Sequence, residues 1–145
     1  VLQMNAIDAV KSLPHVDVAY LDPPYNQHPY GSNYFMLNLL ASYEKPNEVS
    51  SVSGIPKDWN RSNFNKRRIA QNELFNVIEQ CDASYVLISY NSEGFIQYED
   101  MVSFLEQLGT VRIIETQYNT FRGSRNLRNR NIHVTEYLFL LKKAI

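Results

Sequence analysis

Val16 to Tyr25 reads VDVAYLDPPY, an apolar run that stops at Asp22-Pro23-Pro24-Tyr25. A run of this length closed by two prolines predicts a buried parallel strand feeding a stiff loop at its carboxyl end. In open α/β sheets, ligands bind just outside those carboxyl ends. The stretch therefore predicts a fold class, α/β, and a place for a site, Asp22 to Tyr25.

Upstream, Val1 to Met4 is expected to be the tail of a strand, and Asn5 to Val10 a short helix that Leu13 and Pro14 end. Downstream, Phe35, Met36, Leu37, Leu39, Leu40 and Tyr43 fall near helical spacing. They predict a helix over 33–43, capped by Ser32 or Asn33 and packed on the sheet. Residues 44–67 hold two prolines and few apolar anchors (Val49, Val52, Ile55, Trp59, Phe64), which reads as a long insertion loop. Trp59 and Phe64 either tack that loop to the body or serve a partner.

A helical pattern resumes over 68–81, a second strand over 84–90 (SYVLISY), a turn at 91–94, and a helix over 95–108 with Gly109 at its C-cap. Strands follow at 111–117 and 132–142. No helix fits between these last two, so they predict an antiparallel pair. The order implies one domain over 1–145: the second half of a doubly wound sheet, its parallel strands ending in an antiparallel hairpin.

Composition narrows the class. A chain of 145 residues, 44% hydrophobic, suits one globular domain. A single cysteine, Cys81, excludes an internal disulfide framework and a cysteine-rich zinc site, and three scattered histidines give no metal pattern. No apolar run reaches membrane-span length and no signal-peptide plan opens the chain, so no membrane partner is expected and the cytoplasm is the default compartment. A net charge of -1 argues against coating nucleic acid over the whole surface and leaves local patches open. A start at Val1 that leads at once to a strand suggests a piece of something longer.

Suppose the substrate is an exocyclic aromatic amine such as adenine N6. That nitrogen is a poor nucleophile because its lone pair is delocalised into the ring. The Asp22 carboxylate and the Pro23 carbonyl are two close acceptors able to take its hydrogens. The prolines, Pro23 and Pro24, fix φ and remove competing N–H donors. Tyr25 offers a face on which a base extruded from a duplex can stack. Catalysis would then be positioning for attack on an activated methyl group. The plainer alternative is a strand-ending Asp-Pro-Pro turn whose tyrosine only packs.

The run DPPYNQHPYGSNYFMLN resembles the adenine-N6 DNA methyltransferases of the alpha (Dam-type) group, restriction-modification branch. The matching positions are Asp22, Pro23, Pro24, Tyr25, Asn26, Tyr30, Asn33 and Tyr34. LISYNSEG (87–94) and VTEYLFLLKK (134–143) resemble two later blocks of that family. The resemblance implies the C-terminal half of a Rossmann-like methyltransferase domain that uses S-adenosylmethionine on double-stranded DNA. It implies catalysis by Asp22 to Tyr25, DNA contacts by Tyr25, Asn33 and Tyr34, and cofactor contacts by Asp22, Asn26 and Asp8. Asp8 lies in QMNAID, which is similar to the family's acidic stretch near the cofactor's adenine; a helix cap is its plainer role.

One departure is large. The family's aromatic-x-Gly-x-Gly cofactor loop has no counterpart among Gly31, Gly54, Gly94, Gly109 and Gly123. The expected partner is accordingly the missing N-terminal half or a second chain, and the chain alone is expected to be inactive and prone to associate through an unpaired strand edge. An Asp at the first motif position fits adenine, whereas the resemblance associates Ser with cytosine N4 and Asn with protein glutamine or ribosomal RNA. From another class, the chain reads as a non-catalytic DNA-binding or complementing subunit of a split or decayed methyltransferase.

Tyr118 to Asn131 reads YNTFRGSRNLRNRN, without an acidic residue. Arg122, Arg125, Arg128 and Arg130, with Ser124 and Asn126 between them, predict a clamp on DNA phosphates. An exposed, merely solvated loop is the alternative.

Overall fold

In a computed structural model, which describes residues 1–57, 62–119 and 133–144, Val16–Leu21 is strand β1. Ala83–Asn91 (β2), Gly109–Asn119 (β3) and His133–Lys143 (β4) complete one sheet in the order β1-β2-β4-β3. β1 and β2 are parallel, Leu21 pairing with Ile88, and β4 runs antiparallel to both β2 and β3. The mixed α/β class, the parallel pair and the closing hairpin agree with the sequence reading.

Two helices build the core against one face of this sheet. α4 (Ala70–Gln80) presents Leu74 and Ile78, and α5 (Tyr98–Leu108) presents Met101 and Leu105. They close over Val86 and Ile88 of β2 and Phe139 and Leu141 of β4. The two helices meet through stacked Phe75 and Phe104 rings, 3.8 Å apart. α1 (Ala6–Ser12) leans on α4, its first turn capped by the Asn5 side chain, which accepts from the Ile7 N–H.

Gly109 does end α5, as expected, yet for a different reason. Its backbone is extended (φ 164°), and the cause for glycine is close approach: a Cβ there would overlap the Lys142 carbonyl oxygen on β4. α5 also starts at Tyr98 rather than at Phe95. The Phe95 and Ile96 N–H groups are taken by the Tyr25 carbonyl and the Tyr90 hydroxyl, which hold that segment as a turn.

Five expectations are corrected. Residues 1–4 form no strand. The helix over 33–43 is two pieces, α2 (Tyr30–Asn33) and α3 (Phe35–Ser42), broken at Tyr34. Neither Ser32 nor Asn33 caps it: Pro29, with its preset φ, starts α2, and the Ser32 hydroxyl donates to the Pro29 carbonyl instead. α3 does not pack on the sheet; it has no buried residue, and Met36, Leu37 and Leu40 are exposed. Nor is β1 buried on both sides, because Ala19 and Leu21 join the core while Val18 and Tyr20 stay 53% and 61% exposed.

Within 44–57 the pairing is limited to one bridge, between Val49 and Pro56, and a 3-10 turn over Asn63–Asn65 leads into α4. Phe64 packs against the core, so this end of the excursion is tacked to the body; Trp59 lies outside the described residues.

Candidate active site

β1 ends at Leu21, so Asp22 to Asn26 leaves the sheet beside the carboxyl end of β2. Asp22 is exposed, Pro23 is buried, and Pro24, Tyr25 and Asn26 are half-buried. Neither the Asp22 carboxylate nor the Pro23 carbonyl accepts a hydrogen bond from the described residues. Two adjacent acceptors are thus left unspent at the sheet's carboxyl edge. Proline rigidity fixes the chain that carries them.

The loop is seated on the turn after β2. The Tyr25 carbonyl accepts from the Phe95 N–H at 3.0 Å. The Tyr25 ring meets Tyr90 edge-on, centroids 6.4 Å apart at 77°. Tyr90 is buried, and its hydroxyl accepts from the Ile96 N–H at 3.2 Å. Burial, partly offset by that bond, holds its phenol above the usual tyrosine range. Gly94 is required here, since a Cβ would run into the Tyr90 ring. The block over 87–94 therefore acts as a support for the loop.

Beyond Tyr25, the Asn26 side chain accepts from the His28 N–H at 2.9 Å, closing an Asx turn. α2 follows at once. Tyr30 and Tyr34 lie with ring centroids 5.6 Å apart. Desolvation first, then the Asp22 carboxylate and the Tyr34 and Tyr25 phenols, keep the Tyr30 hydroxyl protonated to higher pH than usual. Pro24, Tyr25, Asn26, Tyr30, Asn33 and Tyr34 line a cavity of about 300 Å³, at the small end of the range for small-molecule sites. On the other side Tyr118 donates to Glu136 at 3.0 Å, and Asn91 also reaches Glu136, at 3.4 Å. Desolvation, the Glu136 carboxylate and the nearby Tyr25 phenol raise the Tyr118 pKa.

The structure thus gathers Asp22, Pro23, Pro24, Tyr25, Asn26, Asn33 and Tyr34. Asp8 sits exposed in the first turn of α1, joined to Asp22 and Asn26 by no hydrogen bond or ion pair among the described residues. Arg122, Ser124, Arg125, Asn126, Arg128 and Arg130 lie outside the described residues. Sequence reasoning puts Tyr90 near the ligand edge as a packing residue, and the structure shows what it packs: Tyr90, with the Phe95 N–H, supports the loop, and Phe95 gave no sequence signal of that role. Among the described residues no three ligating side chains form a metal site, and no helix is long and apolar enough to cross a membrane.

The loop after β1 thus carries an acceptor pair stiffened by two prolines, with an aromatic face beside it. A model of the D12 class of N6 adenine-specific DNA methyltransferases matches residues 3–104, and the chain belongs to that family. It is 31% identical to the type II methyltransferase M.CviAII of Paramecium bursaria Chlorella virus 1, over 86% of this chain and 37% of that enzyme. To M.NlaIII of Neisseria lactamica it is 30% identical over 99% of this chain and 43% of that enzyme. M.FokI of Planomicrobium okeanokoites is 32% identical over 89% of this chain and 20% of its own length. The chain therefore spans less than half the length of these relatives. No solved structure is significantly similar to it.

S-adenosylmethionine, which this family implies, is fitted only in part by the residues present. Asp22 and Asn26 stand at the loop, Asp8 stands apart on α1, and no Gly-x-Gly turn occurs in the sequence.

Proposed function

We propose that the chain is the base-accepting half of a DNA adenine-N6 methyltransferase, of the restriction-modification type named among its relatives. The observation that carries this reading is the pair of unspent acceptors, the Asp22 carboxylate and the Pro23 carbonyl, on a loop whose tyrosine is held from behind by Tyr90 and Phe95. An adenine extruded from the duplex stacks on Tyr25 within the cavity that Asn33 and Tyr34 also line. Asp22 and Pro23 accept the two N6 hydrogens and turn the nitrogen lone pair out of conjugation, toward the incoming carbon. No strong base is needed: the N–C bond would form as the donor's sulfonium S–C bond breaks and a neutral thioether leaves, and the proton of the acidic ammonium so formed would pass to the Asp22 carboxylate.

When bound, S-adenosylmethionine supplies the activated methyl group. Asp22, Asn26 and Asp8 are the residues of this chain assigned to it, and a glycine loop from the rest of the methyltransferase would hold its remainder. That remainder, on the same polypeptide or on a second one, is the proposed companion. Its place is the open face of the sheet, because a parallel pair such as β1–β2 is ordinarily covered on both sides and the relatives carry more than twice the length of this chain. Arg122, Ser124, Arg125, Asn126, Arg128 and Arg130 are assigned to the phosphates of double-stranded DNA, in the cytoplasm.

The test is transfer of labelled methyl from S-adenosylmethionine to adenine-containing duplex by the chain combined with its companion. Transfer is expected from the pair, none from the chain alone, and a loss of about 100-fold or more in Asp22→Ala. Undiminished transfer by Asp22→Ala would overturn the assignment. A complementing subunit without catalytic groups is the second reading, favoured by the missing Gly-x-Gly turn, and the same control separates the two.

A further inference from the structure

Asn65 lies 39 residues from Asn26, in the polar excursion, yet its side-chain Nδ2 donates to the Asn26 carbonyl at 2.8 Å in a part-buried contact. The Tyr25 carbonyl immediately before it is held by the Phe95 N–H at 3.0 Å. Two successive carbonyls of the loop are thus gripped from two different parts of the fold. The Phe95 side is itself backed by the Arg67 guanidinium, 5.1 Å over the Phe95 ring.

The element that carries Asn65 is built to stay in place. The Ser62 hydroxyl accepts from the Phe64 N–H at 3.2 Å, and the Phe64 ring packs against the core. Asn63 donates to Glu73 of α4 at 3.1 Å and accepts from Lys66 at 2.8 Å. The Lys66 carbonyl in turn accepts from the Ala70 N–H at the start of α4. The 3-10 turn is therefore a strut from α4 to the loop.

We propose that Asn65 is a positioning residue for methyl transfer, fixing the direction in which the chain leaves Tyr25. Tyr25 sits between two acceptors before it and a held carbonyl after it, so its ring and the Asp22–Pro23 pair keep one mutual arrangement only while Asn26 is fixed. Misplacement of reacting groups by about 1 Å is enough to cost on the order of 100-fold in rate. This inference rests on the acceptor-site reading above.

The test has two arms. In the full chain, nuclear magnetic resonance reads the exchange rate of the Phe95 amide, whose acceptor is the Tyr25 carbonyl. Asn65→Asp, isosteric but without the donor, is expected to speed that exchange about ten-fold while the Val86 and Ile88 amides of the core keep their rates. In the chain combined with its companion, Asn65→Asp is expected to lower kcat by about 10- to 100-fold with KM for DNA changed less than about two-fold, and Asn65→Gln to recover part of the loss. An unchanged Phe95 amide would overturn the proposal, as would an undiminished kcat. Absence of transfer by the unsubstituted pair would overturn the acceptor-site reading and the role in transfer with it, while the exchange rates still decide whether the clamp exists.

Discussion

The two faces of the sheet are made from the same four strands, yet the described helices cover only one. On the covered face Ala19, Leu21, Val86, Ile88, Phe139 and Leu141 lie under α4 and α5. On the open face the register brings Val18 and Tyr20 beside Tyr85 and Leu87, then Leu140 and Leu138, then Ile114. Tyr20 and Ile114 are 61% and 60% exposed. Stability lives on the covered face, and the loop after β1 is supported there, Tyr25 leaning on Tyr90. The open face leaves apolar side chains exposed, interleaved with Arg112 and Lys142.

The comparison predicts unequal costs for similar changes. Phe139→Ala on the covered face is expected to lower stability by about 3–5 kcal/mol, read from the denaturant midpoint, because the cavity lies between two helices and the sheet. A loss under about 1 kcal/mol would mean that the core is not where the packing places it.

The second difference is in pH. The Tyr90 phenol has its pKa raised, with burial as the first cause, so the folded state resists ionisation that the unfolded chain undergoes near pH 10. Its contribution to stability is full below that pH and is lost as pH rises toward the folded value, by up to about 1.4 kcal/mol per pH unit. Unfolding midpoints from pH 9 to 11 should fall accordingly, and Tyr90→Phe should flatten the fall.

The smallest effect belongs to the open face. Tyr20→Thr and Ile114→Thr keep strand-compatible residues and are expected to shift the free chain by no more than about 0.5 kcal/mol each. A shift of several kcal/mol would show that the free chain already buries that face.

How much of this was legible follows the same division. The four strands and α4 and α5 were readable because apolar periodicity reports burial against helices that the chain itself carries. The open face was not, since Val16 to Leu21 has the same letters whether its cover lies in this chain or another. The break at Tyr34 was missed because Pro29 starts a turn of helix earlier than the apolar spacing implies. Asp22 to Tyr25 stood out because two successive prolines end an apolar run abruptly and fix the chain beyond it. Asn65 did not, because an asparagine in a polar segment gives no sign of a carbonyl 39 residues away. The arginines over 122–130 were legible as charge, and charge alone does not place them.

Hydroxyl-radical footprinting of the chain, free and combined with the proposed cofactor-binding companion, tests the account most directly. Tyr20 and Tyr85 should be modified in the free chain and protected in the combined one, while Tyr90 and Phe139 stay protected in both. Equal modification of Tyr20 and Tyr85 in a combined, methyl-transferring enzyme would contradict it.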